Sequence, residues 1–407
     1  MTQTATRDDV ASLTAAALPH VTGIRRDLHR HPELGYLETR TSERVVAELK
    51  DLGIEHAAGL ARGTGVIAHL PANRAGVDPA SAPTIGLRAD MDALPILEET
   101  GVEYASQTPG TMHACGHDGH TANLLGVARV LNQLGDRPNN VTLVFQPAEE
   151  GGGGGDAMCK DGAIDGSRLG KPVDLMYGLH GWPDMEVGNV ATRVGPLLAG
   201  TSEFEVIVRG KGGHAAYPHN TVDPIVAAAQ FIVAAQTIVA RSVSPVSSAV
   251  ITFGEIKAGH ARNVIPDEAK LRGTIRTLSE SDRTLVTGRF EEVAKGVGSA
   301  MGATIEVNWQ GGYPVTHNDA HATGRFRRVA QETLGPGKVF EREQPTMGGE
   351  DFAYYGAHAK ACFYVIGLKP IGAPSYPGLH TPTFDFNDDA LETGVRTMVA
   401  LALDERV

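Results

Sequence analysis

The chain has 407 residues, 42% of them hydrophobic and 21% charged, which excludes a disordered or fibrous protein and leaves room for two or three domains. Thirty-six basic against 48 acidic side chains give a formal charge of −12, which argues against a nucleic-acid or anionic-membrane partner. Three cysteines do not make a disulfide framework, so the cytoplasm is the expected compartment.

In chain order, residues 1–19 show no basic stretch leading into an apolar core and are not read as a secretory leader. Val45, Val46, Leu49 and Leu52 mark a helix over 40–53, closed by a glycine. Residues 65–70 and 84–89 read as strands. Leu124, Leu125, Ala128, Leu131 and Leu134 mark a helix over 121–134, and strands follow at 141–145 and 173–179. Such alternation implies an α/β domain with a mostly parallel sheet and helices on its faces. Ligands on such sheets sit beyond the carboxyl ends of the strands.

Near residue 196 the pattern changes. Strands at 202–209, 248–256, 269–278 and 303–309 and helices at 223–240 and 281–297 give the order β-α-β-β-α-β, a ferredoxin-like α+β unit inserted over 196–309. The apolar stretch 225–240 is 16 residues long and contains Gln230 and Gln236. A membrane span needs ~20 apolar residues, so a buried helix is expected. A helix at 323–334 and a strand at 361–367 resume the first pattern. The first domain is therefore discontinuous, 1–195 and 310–407.

The densest chemistry is His113-Ala-Cys-Gly-His-Asp-Gly-His120, just ahead of the helix expected at 121. Cys115 and His117 are two apart and would share a side of an extended segment. Thiolate and neutral imidazole suit a borderline-soft divalent ion. The bland alternative is a glycine-rich turn that caps the helix, but apolar packing does not call for so many histidines. Next, the strand at 141–145 runs into Glu149, Glu150 and five glycines. Two adjacent carboxylates repel unless a cation or solvent intervenes; a solvated rim is the other reading. His180 and His380 stand near further strand ends. Cys115, His117, Glu150, His180 and His380 together exceed the four ligands of a closed structural zinc and suit two ions sharing a ligand.

These segments, with Gly210-Lys-Gly-Gly-His214, Arg262-Asn-Val-Ile-Pro266 and Leu379-His-Thr-Pro382, resemble the aminoacylase/carboxypeptidase superfamily of dinuclear metallohydrolases. The branch is that of hippurate hydrolases and indole-acetyl-amino acid hydrolases, and the motifs come in its order over nearly the whole chain. The resemblance implies Cys115 as the bridging ligand, where the wider superfamily uses an aspartate. It implies His117, Glu150, His180 and His380 as the other ligands, and Glu149 as general base. His214, on the inserted lid, would reach the active site of a partner subunit, so a homodimer is implied. Asn263 and Arg276 match positions linked to the substrate carboxylate; Arg272 and Arg276 share a strand face and either could clamp one. Asp90-Met-Asp92 stands where the superfamily has a ligand histidine and a supporting aspartate. Gly348-Gly-Glu-Asp-Phe352 departs from the branch's usual Gly-Ser-Glu-Asp-Phe.

The expected activity is hydrolysis of N-acyl amino acids to a carboxylic acid and a free amino acid. Two divalent ions, zinc foremost, with manganese or cobalt permitted, would lower a water's pKa from about 16 to about 7. Glu149 would take that proton and pass it to the leaving amine, and His214 would donate to the oxyanion. Three rivals remain open: a dipeptidase, carboxypeptidase or deacetylase on the same site; a metal-stabilised scaffold; and a thiol hydrolase built on Cys115 with His117 or His120. Cys159 and Cys362 read as bland, one near a surface helix and one on an apolar strand.

Overall fold

The structure is a computed structural model that describes residues 6–407. Of the N-terminal stretch above, residues 1–5 lie outside the described residues; Arg7–Arg30 is a helix capped by Thr6 and Asp9. The chain divides into two compact units. One runs to Leu197 and resumes over His317–Gln344 and Asp351–Val407; the other comprises Leu198–Thr316 and Pro345–Glu350.

The first unit is built on an eight-stranded mixed sheet. Its centre is parallel: Asn140–Gln146, Thr84–Asp90, Leu175–Glu186 and Lys360–Lys369 lie side by side in that order. Thr84–Asp90 and Asn140–Gln146 are buried at every residue, as strands covered on both faces must be, so their sequences are mostly apolar, and their buried polar residues, Arg88 and Asp90 among them, need partners. The helices Arg7–Arg30, His117–Gln133 and Ala390–Leu403 pack against one another. His117–Gln133 is buried on nearly its whole circumference. Gly126 permits that approach, since a Cβ there would stand 2.8 Å from Val395 and 3.1 Å from Val21.

The second unit has one four-stranded antiparallel sheet, Ala249–Ala258, Glu268–Thr277, Gly200–Arg209, Thr304–Gly311, with the helices Pro224–Arg241 and Glu280–Met301. Chain order against sheet order is that of a ferredoxin-like unit. Its core is aromatic: Phe204 and Phe231 lie 4.7 and 5.0 Å from the ring of Phe290.

Two expectations change here. The helix Pro224–Arg241 buries one face only, through Ala227, Ala228, Phe231, Ala235 and Ile238; Ile225 and Val226 are 45% exposed and Val233 67%. Among the described residues it is the one helix long and apolar enough to cross a membrane by composition. The helix expected from 121 begins at His117, because Gly116 takes the left-handed conformation (φ 86°) and turns the chain into it.

Candidate metal centre and active site

Three of the four central strands deliver their part of the site at or beyond their carboxyl ends. Thr84–Asp90 leads to Asp92, Asn140–Gln146 to Glu149 and Glu150, and Lys360–Lys369 to His380. His180 lies inside Leu175–Glu186 rather than at its end; the strand runs on past Thr84–Asp90, and the pairing of Arg88 with Gly178 sets His180 level with Asp90. Cys115 and His117 flank Gly116, so they face one centre through a turn and a helix start rather than through an extended segment.

The five expected ligands come together. Cys115 Sγ lies 3.3 Å from His180 Nε2 and 3.3 Å from His380 Nε2, and His380 Nε2 lies 3.0 Å from Glu150 Oε1. Donor atoms of Cys115, His117 and His180 cluster within 4.8 Å of one another, as do those of Cys115, Glu150 and His380, and those of His117, Glu149 and Glu150. Cys115 thus belongs to two ligand groups, the arrangement a shared ligand requires. His117 and His180 are buried, whereas the His380 side chain is 51% exposed, so the centre opens on one side.

Hydrogen bonds decide which histidines can bind a metal. His117 Nδ1 faces the Asp92 carbonyl at 2.9 Å and its carboxylate at 3.1 Å, both pure acceptors. Nδ1 therefore donates, and Nε2 is the nitrogen that would give a lone pair to a cation displacing its proton. That Nε2 is buried and has no hydrogen-bond partner among the described residues. His180 Nδ1 donates to the Gly181 carbonyl at 2.8 Å, which turns its Nε2 to Cys115. His120 is saturated instead: Nδ1 donates to Asp90 at 2.7 Å and Nε2 accepts from Gly181 N–H at 2.9 Å. It orients its neighbours and has no lone pair to give.

The field of the site favours positive charge. Burial alone would push the His117 imidazole down, but Asp90, Asp92 and Glu150 lift it to about 10. Burial, aided by the neighbouring imidazoles, drives His180 to about 3. Burial and the carboxylates of Glu150, Glu149 and Asp90 push the Cys115 thiol well up. A thiolate here needs a cation beside it, which disfavours a thiol hydrolase working on Cys115 alone. An orphaned buried nitrogen, a thiol within reach of two imidazoles and a ring of carboxylates fit a divalent ion of borderline softness.

The residues behind the ligands were less visible in the sequence. Arg88, fully buried, donates to Asp90 at 2.5 Å, Gln146 at 2.9 Å and Asp351 at 3.0 Å. Burial would raise the Asp90 carboxyl; His117, Arg88 and His120 hold it well below the usual carboxylate range. Asp351, from the Gly348–Phe352 run, also accepts from Gln146 and Gly155 N–H, and its own N–H reaches Glu149 Oε1 at 3.3 Å. Arg25 pairs with Asp118 at 3.1 Å and with Asp385, and Asp118 also holds His29 Nδ1 at 2.8 Å. One buried guanidinium thus ties the Cys115–His117 segment to the stretch after His380. Gly119 belongs to the same joint: a Cβ there would stand 2.4 Å from the Phe386 ring. The His380 N–H completes it, donating to the Ala114 carbonyl at 2.8 Å, with His380 held at φ 61°.

In the second unit His214 is exposed and forms a short antiparallel ribbon with Val264, next to Asn263, whose carbonyl accepts from Ala215 N–H at 3.1 Å. Arg272 is an ordinary surface charge paired with Glu205 at 2.7 Å. Arg276 is half-buried and donates to Thr274. Cys159 is partly exposed on the helix Gly154–Lys160, and Cys362 is buried in its strand.

Residues 86–404 match the peptidase family M20/M25/M40. N-acetyl-L-cysteine deacetylase of Bacillus subtilis is 41% identical over 374 residues, 91% of this chain and 84% of that protein. The chain belongs to family M20. IAA-amino acid hydrolase ILR1-like 4 of Arabidopsis thaliana is 37% identical over 93% of this chain and 84% of its own length. The crystal structure of the Bacillus subtilis YXEP protein, a dinuclear metal-binding peptidase from family M20, superposes with a TM-score of 0.78 at 34% identity, covering 96% of this chain and 98% of that one. Amide hydrolysis by a metal-binding hydrolase follows from this membership and from the ligand groups above.

Proposed function

We propose that the chain hydrolyses N-acyl amino acids to a carboxylic acid and a free amino acid, with two divalent ions held by Cys115, His117, Glu150, His180 and His380. The observation that carries this is Cys115 Sγ, shared between two ligand groups with Glu149 alongside. The ions would supply Lewis acidity toward water and the scissile carbonyl. The chain's own residues do the rest. Asp92 and Gly181 fix the tautomers of His117 and His180. Glu149, 7% exposed, takes a proton from water and delivers it to the departing amine nitrogen. His214 donates to the developing oxyanion from a partner subunit, and Asn263 and Arg276 hold the substrate carboxylate.

Two relatives support the substrate class: one is named for deacetylating N-acetyl-L-cysteine and the other for hydrolysing an IAA-amino acid. A second reading narrows the acyl group to acetyl. It is favoured by further relatives named N-acetylcysteine deacetylase and N-acetyldiaminopimelate deacetylase, 38% and 39% identical. Thiolate and imidazole favour zinc.

The test is metal content per chain with amino-acid release from N-acetyl, N-benzoyl and indole-acetyl amino acids and from dipeptides, before and after chelation. Two ions and chelator-sensitive release from the N-acyl substrates are expected. Release confined to dipeptides, or activity that survives chelation and dies with a thiol alkylator, would overturn the proposal.

A further inference from the structure

Glu38 stands at the N-cap of the helix Thr39–Asp51, where a carboxylate ordinarily accepts hydrogen bonds from the first turn. Its side chain makes none of them. Glu33 does that work: its oxygens accept from Arg40 N–H at 3.0 Å, and from Thr41 N–H at 2.8 Å and the Thr41 hydroxyl at 3.0 Å. Glu38, fully buried, turns inward instead. One oxygen accepts from Ala148 N–H at 2.8 Å and the other from the Thr64 hydroxyl at 2.8 Å.

Ala148 immediately precedes Glu149 and sits at φ 52°, a left-handed conformation that its Cβ disfavours. Its carbonyl accepts from Gly154 N–H at 3.0 Å, so both sides of the residue are tied. The side chain is enclosed as well: a Cβ on Gly35 or Gly152 would stand 3.1 or 2.6 Å from that of Ala148. One residue further, Glu150 N–H donates to Asp92 at 2.9 Å. The turn that carries Glu149 is thus held from behind by a carboxylate that bonds none of the five ligand side chains.

We infer that Glu38 is a positioning residue for Glu149: its carboxylate holds the Ala148 peptide in the left-handed turn that presents the general base. The inference rests on the reading of Glu149 as that base.

Two conservative variants separate reach from charge. Glu38→Gln keeps an oxygen within reach of Ala148 N–H and offers an amide to the Thr64 hydroxyl, without the charge. Glu38→Asp keeps the charge and withdraws the oxygens by about one carbon–carbon bond. With two ions bound, Glu38→Asp should lower kcat by about 10- to 100-fold, the scale of a small misplacement of a reacting group, with KM and metal content within about twofold. Glu38→Gln should stay within about threefold of wild type. On top of Glu149→Gln, Glu38→Asp should cost nothing further, because it acts through a group already removed.

The reverse order, Gln impaired and Asp intact, would overturn the inference, as would loss of metal or an equal loss in the Glu149→Gln background. If Glu149→Gln is inactive and Glu38→Asp runs at the wild-type rate, this inference alone falls. If Glu149→Gln keeps near wild-type turnover, the base assignment falls first and takes this one with it.

Discussion

The two units solve the burial of a sheet in opposite ways. In the first, central strands are covered on both faces, and charged groups lie inside: Arg25, Arg88, Asp90 and Asp118 are all at most 1% exposed. In the second, the strand Thr304–Gly311 alternates exposed and half-buried residues, the core is an aromatic cluster, and charges such as Arg272 stay on the surface. A buried charge is tolerated only when paired and hydrogen-bonded, and then it fixes geometry, because every alternative arrangement strands it. The first unit can therefore hold five ligands in place. The second packs its sheet and helices around apolar and aromatic side chains and presents His214 on an exposed ribbon.

That contrast can be broken most directly at its centre. Cys115→Ala should lower the content of both ions and reduce turnover below about one hundredth, since a shared ligand serves two metals and the chemistry depends on them. Metal analysis of the purified variant checks this; loss of a single ion would show that Cys115 does not bridge. Next comes the clasp at Arg25. Arg25→Leu leaves Asp385 without its buried guanidinium and Asp118 with His29 alone. Breaking one side of a buried ion pair costs ~3–5 kcal/mol. The variant should melt well below wild type and bind metal more weakly. Pairing it with Asp385→Asn should return part of the loss, because one stranded charge is removed.

Much of this design is legible in the sequence, and the exceptions have physical reasons. Mostly apolar stretches at 65–70, 84–89 and 141–145 match the observed strands to within a residue, because burial on both faces favours them. The ligands stand out because their residue types are costly to place without a purpose. Choosing His117 over His120 was not possible from spacing alone. It depends on Asp92, Asp90 and Gly181, which the fold brings from other strands. Glu38 gave no signal, since a glutamate before a helix looks like a cap until Glu33 is seen to do the capping. The helix at 224–241 misled in the other direction. A run apolar all round argues for full burial, yet Val233 on its outer face is open.

A smaller effect follows from His29, whose ring is buried between Asp118 and Glu98. Burial opposes its charge, but those carboxylates raise its pKa from 6.5 to about 9. A raised folded-state pKa contributes stability that is fully present below about 6.5 and is lost as pH rises through about 9. The first unit should therefore lose up to about 3 kcal/mol between pH 6.5 and 9.5. Metal-free protein melted across that range should show the decline, and His29→Gln should flatten it. An unchanged slope in the variant would place the titration elsewhere.

The smallest expected effect belongs to the second unit and sets the scale for the rest. Arg272 pairs with Glu205 at 2.7 Å, a distance as short as many inside the first unit. Its side chain is 62% exposed, however, so water and salt replace the partner as soon as it is removed. Arg272→Ala should leave the melting temperature within experimental error at physiological salt and leave metal content untouched. Distance alone would predict a loss like that of Arg25→Leu. If the two variants melted alike, burial would not be what separates the two units, and the account of how the first holds its ligands would have to rest on packing alone.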